Sequence, residues 1–282
     1  SARFNLSDAR RYLERYQGNP TNELSNVNPW IEGRELDEIW GYTTVGIAQS
    51  QQEMDAHLAA VGGQSSIYGG EWLAGDIMYA DVDGKPGVNG GNWTLDDHGD
   101  LKVIGNQNPR FHFGLDLNAS WKGFDVRAFF QGVMKRDLAI NSPMFWGLYG
   151  NMWWSAGLKE HADFWHDEAL GLDGNIIPAN TDAYYPRPIM WNTRNQQTQT
   201  RYLQDASYIR LKNLQIGYTL PKTLVNKIGI QNCRVFVSGE NLWTGTSLSK
   251  VFDPETATGG YESYGNAYPL TSTWAFGLSL TL

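Results

Sequence analysis

The chain has 282 residues, with 22 Lys and Arg against 30 Asp and Glu and a net charge of −8. That acidic balance excludes the basic stripe that nucleic-acid binding needs, and a single cysteine, Cys233, excludes an internal disulfide and a cysteine zinc cluster. No run approaches the roughly 20 apolar residues of a membrane-spanning helix, but barrel strands alternate and average out to polar, so a membrane location stays open.

The chain begins Ser-Ala-Arg-Phe-Asn-Leu, not with Met, and shows no charged-then-apolar leader. It reads as a mature product or a piece of a longer chain. Residues 7–16 predict a short helix with Ser7 as N-cap. A loop rich in Asn and Pro follows over 17–29. Residues 30–48 hold strand-like pieces around Trp30, Ile39, Trp40, Tyr42 and Val45. Residues 50–61 predict a second helix capped by Ser50, and 62–107 a long, structured loop rich in Gly, Asp and Asn.

Residues 111–133 carry the clearest pattern. Phe111, Phe113, Leu115, Leu117, Ala119 and Trp121 alternate with His112, Gly114, Asp116, Asn118 and Ser120. After Lys122-Gly123 the alternation resumes with Phe124, Val126, Ala128 and Phe130. A two-residue turn sets Trp121 opposite Phe124, Ala119 opposite Val126, Leu117 opposite Ala128 and Leu115 opposite Phe130. One face is apolar and the other pairs Ser120 with Asp125 and Asn118 with Arg127.

A long connection rich in Trp, Asn, Gly and Pro spans 134–198. A strand over 200–220 changes phase at Asn213, where one extra residue makes a β-bulge. A compact turn with one helical turn fits 221–232, and a strand fits 233–243. A Gly/Ser/Tyr loop over 244–272 leads to the last strand, which sets Trp274, Phe276, Leu278, Leu280 and Leu282 on one face. The connections are alternately short and long, as in an outer-membrane barrel with short periplasmic turns and long outer loops. The strand 111–121 matches the roughly 9–11 residues a tilted membrane strand needs. Alternation by itself also fits a soluble β-sandwich; the loop asymmetry and the small polar residues along one face of the last strand favour the barrel. About half a dozen strands are too few to close a wide one.

Six segments resemble one family: "EIWGYTTVGIAQSQQEMD" (38–55), "GDIMYADVDG" (75–84), "VIGNQNPRFHFGLDLNASWKGFDVRAFFQGV" (103–133), "YLQDASYIRLKNLQIGYTLP" (202–221), and "RVFVSGENLWT" (234–244) with "FDPE" (252–255). The chain is similar to the SusC/RagA-like TonB-dependent outer-membrane transporters. The resemblance implies an all-β fold, the C-terminal part of a large antiparallel transmembrane barrel with short helices in its outer loops. The plug domain and earlier strands would lie outside this chain. It also implies residence in the outer membrane of a Gram-negative bacterium, and contact with the bilayer, the rest of the barrel, the TonB complex and a SusD-like lipoprotein lid. The expected activity is import of oligosaccharides. A peptide importer of the same family, or a secreted glycan-binding protein or glycosidase, is the alternative.

Candidate contacts follow from side-chain type. Aromatic rings offer flat apolar faces to sugar C–H groups, so Trp146, Tyr149, Trp153, Trp154, Tyr184, Tyr185 and Trp191 are the candidates for substrate or lid contact, with Trp153 and Trp154 foremost. Asp81, Asp83 and Asp97 are candidate ligands for Ca²⁺ or Mg²⁺, although Gly84-Lys85-Pro86-Gly87 brings a cation and no closing Glu. His161 and His166 are five apart, which puts them on different faces of any helix and outside the zinc-protease spacing. Asp205 and Glu240 read as polar or lumen-side residues of strands. No catalytic site is expected.

Overall fold

A computed structural model describes residues 1–17, 24, 29–147, 157–257 and 267–281. In chain order the strands are β1 (Ala2–Ser7), β2 (Glu38–Gly41), β3 (Thr44–Ile47), β4 (Ile77–Tyr79), β5 (Lys102–Asn106), β6 (Arg110–Trp121), β7 (Phe124–Lys135), β8 (Asp137–Ala139), β9 (Ala169–Leu170), β10 (Ile176–Ile177), β11 (Leu203–Asp205), β12 (Tyr208–Thr219), β13 (Asn232–Thr246) and β14 (Thr273–Thr281). The helices are α1 (Gln51–Val61), α2 (Pro143–Trp146) and α3 (Lys222–Val225).

Six strands form one antiparallel sheet in the order β1-β6-β7-β12-β13-β14, with β1 and β14 as its edges. The β6–β7 hairpin has the register read from the sequence: Trp121 faces Phe124, Leu117 faces Ala128 and Leu115 faces Phe130. Lys122 and Gly123 both have positive φ, 48° and 89°, the turn whose twist matches that of the flanking strands. The phase change near Asn213 is a register shift between Leu211 and Asn213 against both β7 and β13.

The chain's beginning differs from expectation. Residues 7–16 are not a helix. Residues 2–7 are instead a strand that places Phe4 beside Leu115 and Leu6 beside Phe113. The next residues run alongside 33–37: Leu13 N donates to the Arg34 carbonyl at 3.0 Å, Leu36 N to that of Arg11 at 2.8 Å, and Arg11 pairs with Asp37. Partners distant in sequence take the backbone groups that a helix would have used. Helix α1 does form at the expected place; the Ser50 side chain accepts from Glu53 N at 3.2 Å, and Gly62 closes it with φ 77°.

The three long connections, 8–109, 136–207 and 247–272, leave the sheet at one end, while Lys122-Gly123 and 220–231 lie at the other. The long ones build a layer of short sheets, β2 with β5, β3 with β4 and β8 with β11. The buried core sits in this layer, around Trp40, Met54, Ile77, Tyr79, Leu138 and Phe145. On the sheet the large apolar side chains point outward and stay exposed: Trp121 is 70% accessible and Phe276 85%. A sandwich would have buried them.

Candidate functional site

The sheet has two chemically opposite faces. On one, apolar side chains align across strands: Ala119, Val126, Ile216, Val237 and Phe276 form one row, and Trp121, Phe124, Tyr218, Val235 and Leu278 the next. On the other, Asn118, Arg127, Gln215, Ser238 and Ala275 share a row, and Asp125, Gly217, Phe236 and Gly277 another. The polar face pairs its charges internally. Arg127 reaches Asp116 at 2.8 Å, and Arg234 reaches Asp125 at 2.9 Å.

At its loop end the polar face holds part of the β13–β14 connection. Arg210, 3% exposed, donates to Glu255 at 2.6 Å and Asp253 at 2.7 Å, and Lys212 donates to Glu255 at 3.0 Å. Two residues apart on β12, Arg210 and Lys212 lie on the same side of the strand. Arg136 donates to the carbonyls of Pro254 and Ala257 at 3.2 and 3.0 Å. The "FDPE" segment is thereby fixed against the wall. Its two acids and the distant Arg210 show no spacing signal in the sequence.

A second buried polar centre locks the loop layer. Asp76, fully buried, accepts from Arg187 at 3.1 Å, Arg194 at 3.2 Å, Asn195 at 3.0 Å and Leu73 N at 3.0 Å. It ties residues 73–77 to 187–195. Sequence reading missed it.

Of the seven candidate aromatics, Tyr149, Trp153 and Trp154 lie outside the described residues. Trp146 and Tyr185 are buried in a cluster with Phe145 and Tyr202: Trp146 is 4.7 Å from Tyr202 between ring centroids, and Tyr185 is stacked on Tyr202 at 6.1 Å. These two rings pack the layer rather than face solvent. Burial pushes the Tyr185 and Tyr202 phenols well up. His161 packs on the same cluster; its Nδ1 accepts from Leu158 N at 2.8 Å. Tyr184 and Trp191 are exposed, Trp191 at 72%.

Three other rings line a cavity of about 240 Å³ together with amides: Trp40, Tyr42 and Trp93 with Asn141, Gln196 and Gln197. Among the described residues its lining carries no carboxylate, ammonium or guanidinium. Burial, then the charge of Asp100, pushes the Tyr42 phenol up to about 12, so it stays neutral at physiological pH. In sequence Trp40 and Tyr42 read only as strand-like pieces, which carry no sign of a cavity between distant loops.

The acidic loop is assembled differently from its expectation. Asp81, Asp83 and Asp100 bring ligand oxygens within 4.8 Å of one another; Asp97 is not part of the group and accepts from Asn92 at 2.7 Å. The three are already engaged. Asp100 accepts from the backbone of Val82, Asp83 and Asn89, and Asp81 from Gly84 N. Lys85 lies 3.1 Å from Asp83, whose carboxyl is held below the usual range first by the Lys85 backbone N–H and then by its ammonium. The loop carries its own cation where a divalent ion would compete for oxygens.

No family model matches the chain. Two curated relatives from Formosa agariphila do: TonB-dependent receptor P3, 29% identical over 261 residues, and TonB-dependent receptor P26, 26% identical over 259. The matches take in 88% and 89% of this chain but 22% and 23% of those proteins, so the chain spans under a quarter of their length. Solved structures of the RagAB peptide transporter share its fold. One superimposes with a TM-score of 0.62 at 22% identity over 99% of this chain and 27% of that one. The RagAB importer in its "open-open" state gives 0.60 at 21% over 100% and 26%. An open six-stranded sheet, apolar on one face and polar on the other and carrying long loops at one end, thus has the fold of an arc of such a barrel's wall, and the chain is similar in sequence to TonB-dependent receptors and in fold to the RagAB transporter.

Proposed function

We propose that the protein of which this chain forms part imports oligosaccharides across the outer membrane of a Gram-negative bacterium, driven through TonB and working with a SusD-like lipoprotein lid over its long loops. The observation that carries this reading is the division of the six-stranded sheet into an unbroken apolar face and a charged, internally paired one. Lipid tails suit the first and a water-filled lumen the second. The edges β1 and β14 then pair with the remainder of the same barrel, because open edges are not tolerated in hydrocarbon.

The choice of sugar rests on the cavity between Trp40, Tyr42 and Trp93. Ring faces beside uncharged amides suit a hydroxyl-rich, uncharged ligand. The exposed Tyr184 and Trp191 offer further ring faces. Fold likeness to the RagAB peptide transporter favours a second reading, in which the cargo is a peptide.

The test uses the full-length protein extracted from outer membranes. Expected are heat-modifiable migration, a requirement for detergent, a co-purifying lipoprotein and calorimetric binding of oligosaccharides that Trp93→Ala weakens. Binding of oligopeptides alone selects the second reading. A monomer stable in plain buffer removes both.

A further inference from the structure

The cavity lined by Trp40 lies on a seam between two connections. Its rings, Trp40, Tyr42 and Trp93, come from 8–109, and its amides, Asn141, Gln196 and Gln197, come from 136–207. Main-chain bonds stitch the seam: Tyr42 N donates to the Thr198 carbonyl at 2.9 Å, and Thr200 N to that of Tyr42 at 3.1 Å. The amide-bearing segment is anchored by the Arg194–Asp76 pair and by Asn195, whose side-chain oxygen accepts from Ile77 N at 2.9 Å.

Trp93 is held at a conformational cost. Its φ is 60°, in the left-handed region that a bulky side chain avoids. Its N–H donates to the Gly90 carbonyl at 3.1 Å, and its own carbonyl accepts from Leu24 N at 2.8 Å. A Cβ on Gly90 would lie 2.9 Å from the Trp93 ring and 3.2 Å from the Tyr42 hydroxyl, so this glycine lets the two rings approach each other. Strain of this kind persists where the surrounding structure enforces it, as at ligand clamps.

Size and charge narrow what fits. The volume of about 240 Å³ is below the roughly 300–1,000 Å³ of pockets that enclose drug-sized ligands, which leaves room for one sugar ring and its hydroxyls but not for a chain. Two guanidiniums nearby are committed elsewhere. Arg34, 5.2 Å from the Trp40 ring centroid, pairs with Glu38 at 2.6 Å, and Arg194, next to the lining, pairs with Asp76 at 3.2 Å. Asp100 adds negative charge near Tyr42. An anionic ring would lose its hydration here and gain no positive partner. Amides and a neutral phenol supply both donors and acceptors for hydroxyls.

We propose that this cavity is a single-ring subsite that takes one uncharged pyranose of the cargo, rejects rings carrying a carboxylate and, when filled, braces the two connections against each other. The inference rests on the reading of the protein as an oligosaccharide importer and names the class of sugar that this site selects.

The test uses the full-length protein in detergent. Calorimetry compares neutral gluco-, galacto- and manno-oligosaccharides with their glucuronate, galacturonate and mannuronate counterparts of equal length. A neutral chain should bind at least roughly tenfold more tightly than its counterpart, since the latter buries an unpaired charge. With the neutral sugar bound, amide hydrogen exchange should slow at 40–42 and 193–198. Gln197→Arg puts a cation in the lining and should bring the preference below about twofold by gaining the uronate. Heat-modifiable migration reports whether that variant has folded; if it has not, the wild-type comparison and the exchange data decide by themselves. Uronates that bind the wild type as tightly as neutral chains overturn the subsite, as does neutral-sugar binding that leaves exchange at 40–42 and 193–198 unchanged or a preference that folded Gln197→Arg does not shift. In each of these cases oligosaccharide import still stands. Failure to bind any oligosaccharide removes the sugar reading and the subsite together.

Discussion

Arg234 on β13 holds Asp125 on β7 across an intervening strand, with its Nε 2.9 Å from Oδ1. The residue between them is Gly217, and a Cβ there would lie 2.4 Å from the Arg234 guanidinium. The glycine is the gap through which the arginine reaches. Gly217→Val in the full-length protein should therefore displace Arg234 and lower stability by about 1–3 kcal/mol, the usual cost of overpacking. The temperature at which the folded band disappears on semi-native gels reads this. In the Arg234→Ala background the same substitution should cost clearly less, because nothing remains to be displaced; equal costs in both backgrounds would mean that the glycine serves another purpose.

The two faces of β14 give the sharpest contrast available from neighbouring residues. Phe276 belongs to the apolar row with Val237, and Ala275 faces Ser238 on the polar side. Phe276→Arg sets a charge in lipid near the middle of the strand and should cost about 2–4 kcal/mol. Ala275→Arg places the same charge in the lumen and should cost little. Folded yield in detergent or lipid vesicles measures both. A reversal of the order would put water outside and protein or lipid within.

How far the sequence carries depends on whether a feature is local. The β6–β7 register was legible because a two-residue turn and a period of two fix every pair at once. The bulge beside Asn213 showed as a change of phase, and the Ser50 cap as a local motif. Residues 2–7 were not legible as strand: the edge strand is short, and the polar run after it matched a helix start until Leu115 and Phe113 supplied its partners. The functional layer was the least legible. Asp100 joins Asp81 and Asp83 across the 81–100 loop, Asp76 meets arginines more than a hundred residues away, and Trp40 meets Gln196 across a cavity. Such pairings leave no spacing in a single sequence. The burial of Trp146 and Tyr185 was not legible either, because aromatic content alone does not separate a ring that packs a loop from one open to solvent.

The clamp on residues 252–257 predicts a local effect. Arg210→Met removes the partner of Asp253 and Glu255 while keeping most of the side chain's bulk. Both acids are partly buried; Glu255 would keep Lys212 alone, and Asp253 would keep no ion-pair partner among the described residues. A loss of about 1–3 kcal/mol follows from leaving such charges uncompensated. It should appear as faster proteolysis within 247–257, with the semi-native gel mobility of the barrel unchanged. Arg210→Lys should recover part of the protection. Proteolysis at the wild-type rate in the Met variant would show that Arg136 holds the segment unaided.

The buried phenols of the loop layer predict alkaline sensitivity. Burial raises Tyr42 to about 12 and pushes Tyr79, Tyr185 and Tyr202 up as well. An unfolded tyrosine ionises near pH 10. Below that pH both states hold the proton and ionisation leaves stability unchanged. Above it the unfolded chain has lost the proton while the folded layer keeps it, so the unfolded state binds fewer protons and stability falls as pH rises. The slope is about 1.4 kcal/mol per pH unit for each phenol, from about pH 10 until its folded value is reached. Tyrosinate absorbance should therefore rise in a cooperative step that coincides with loss of near-ultraviolet dichroism, and Tyr42→Phe should make the fall in stability between pH 10 and 12 less steep. Independent titration of all the phenols near pH 10, with the dichroism intact, would show that these rings are open to water.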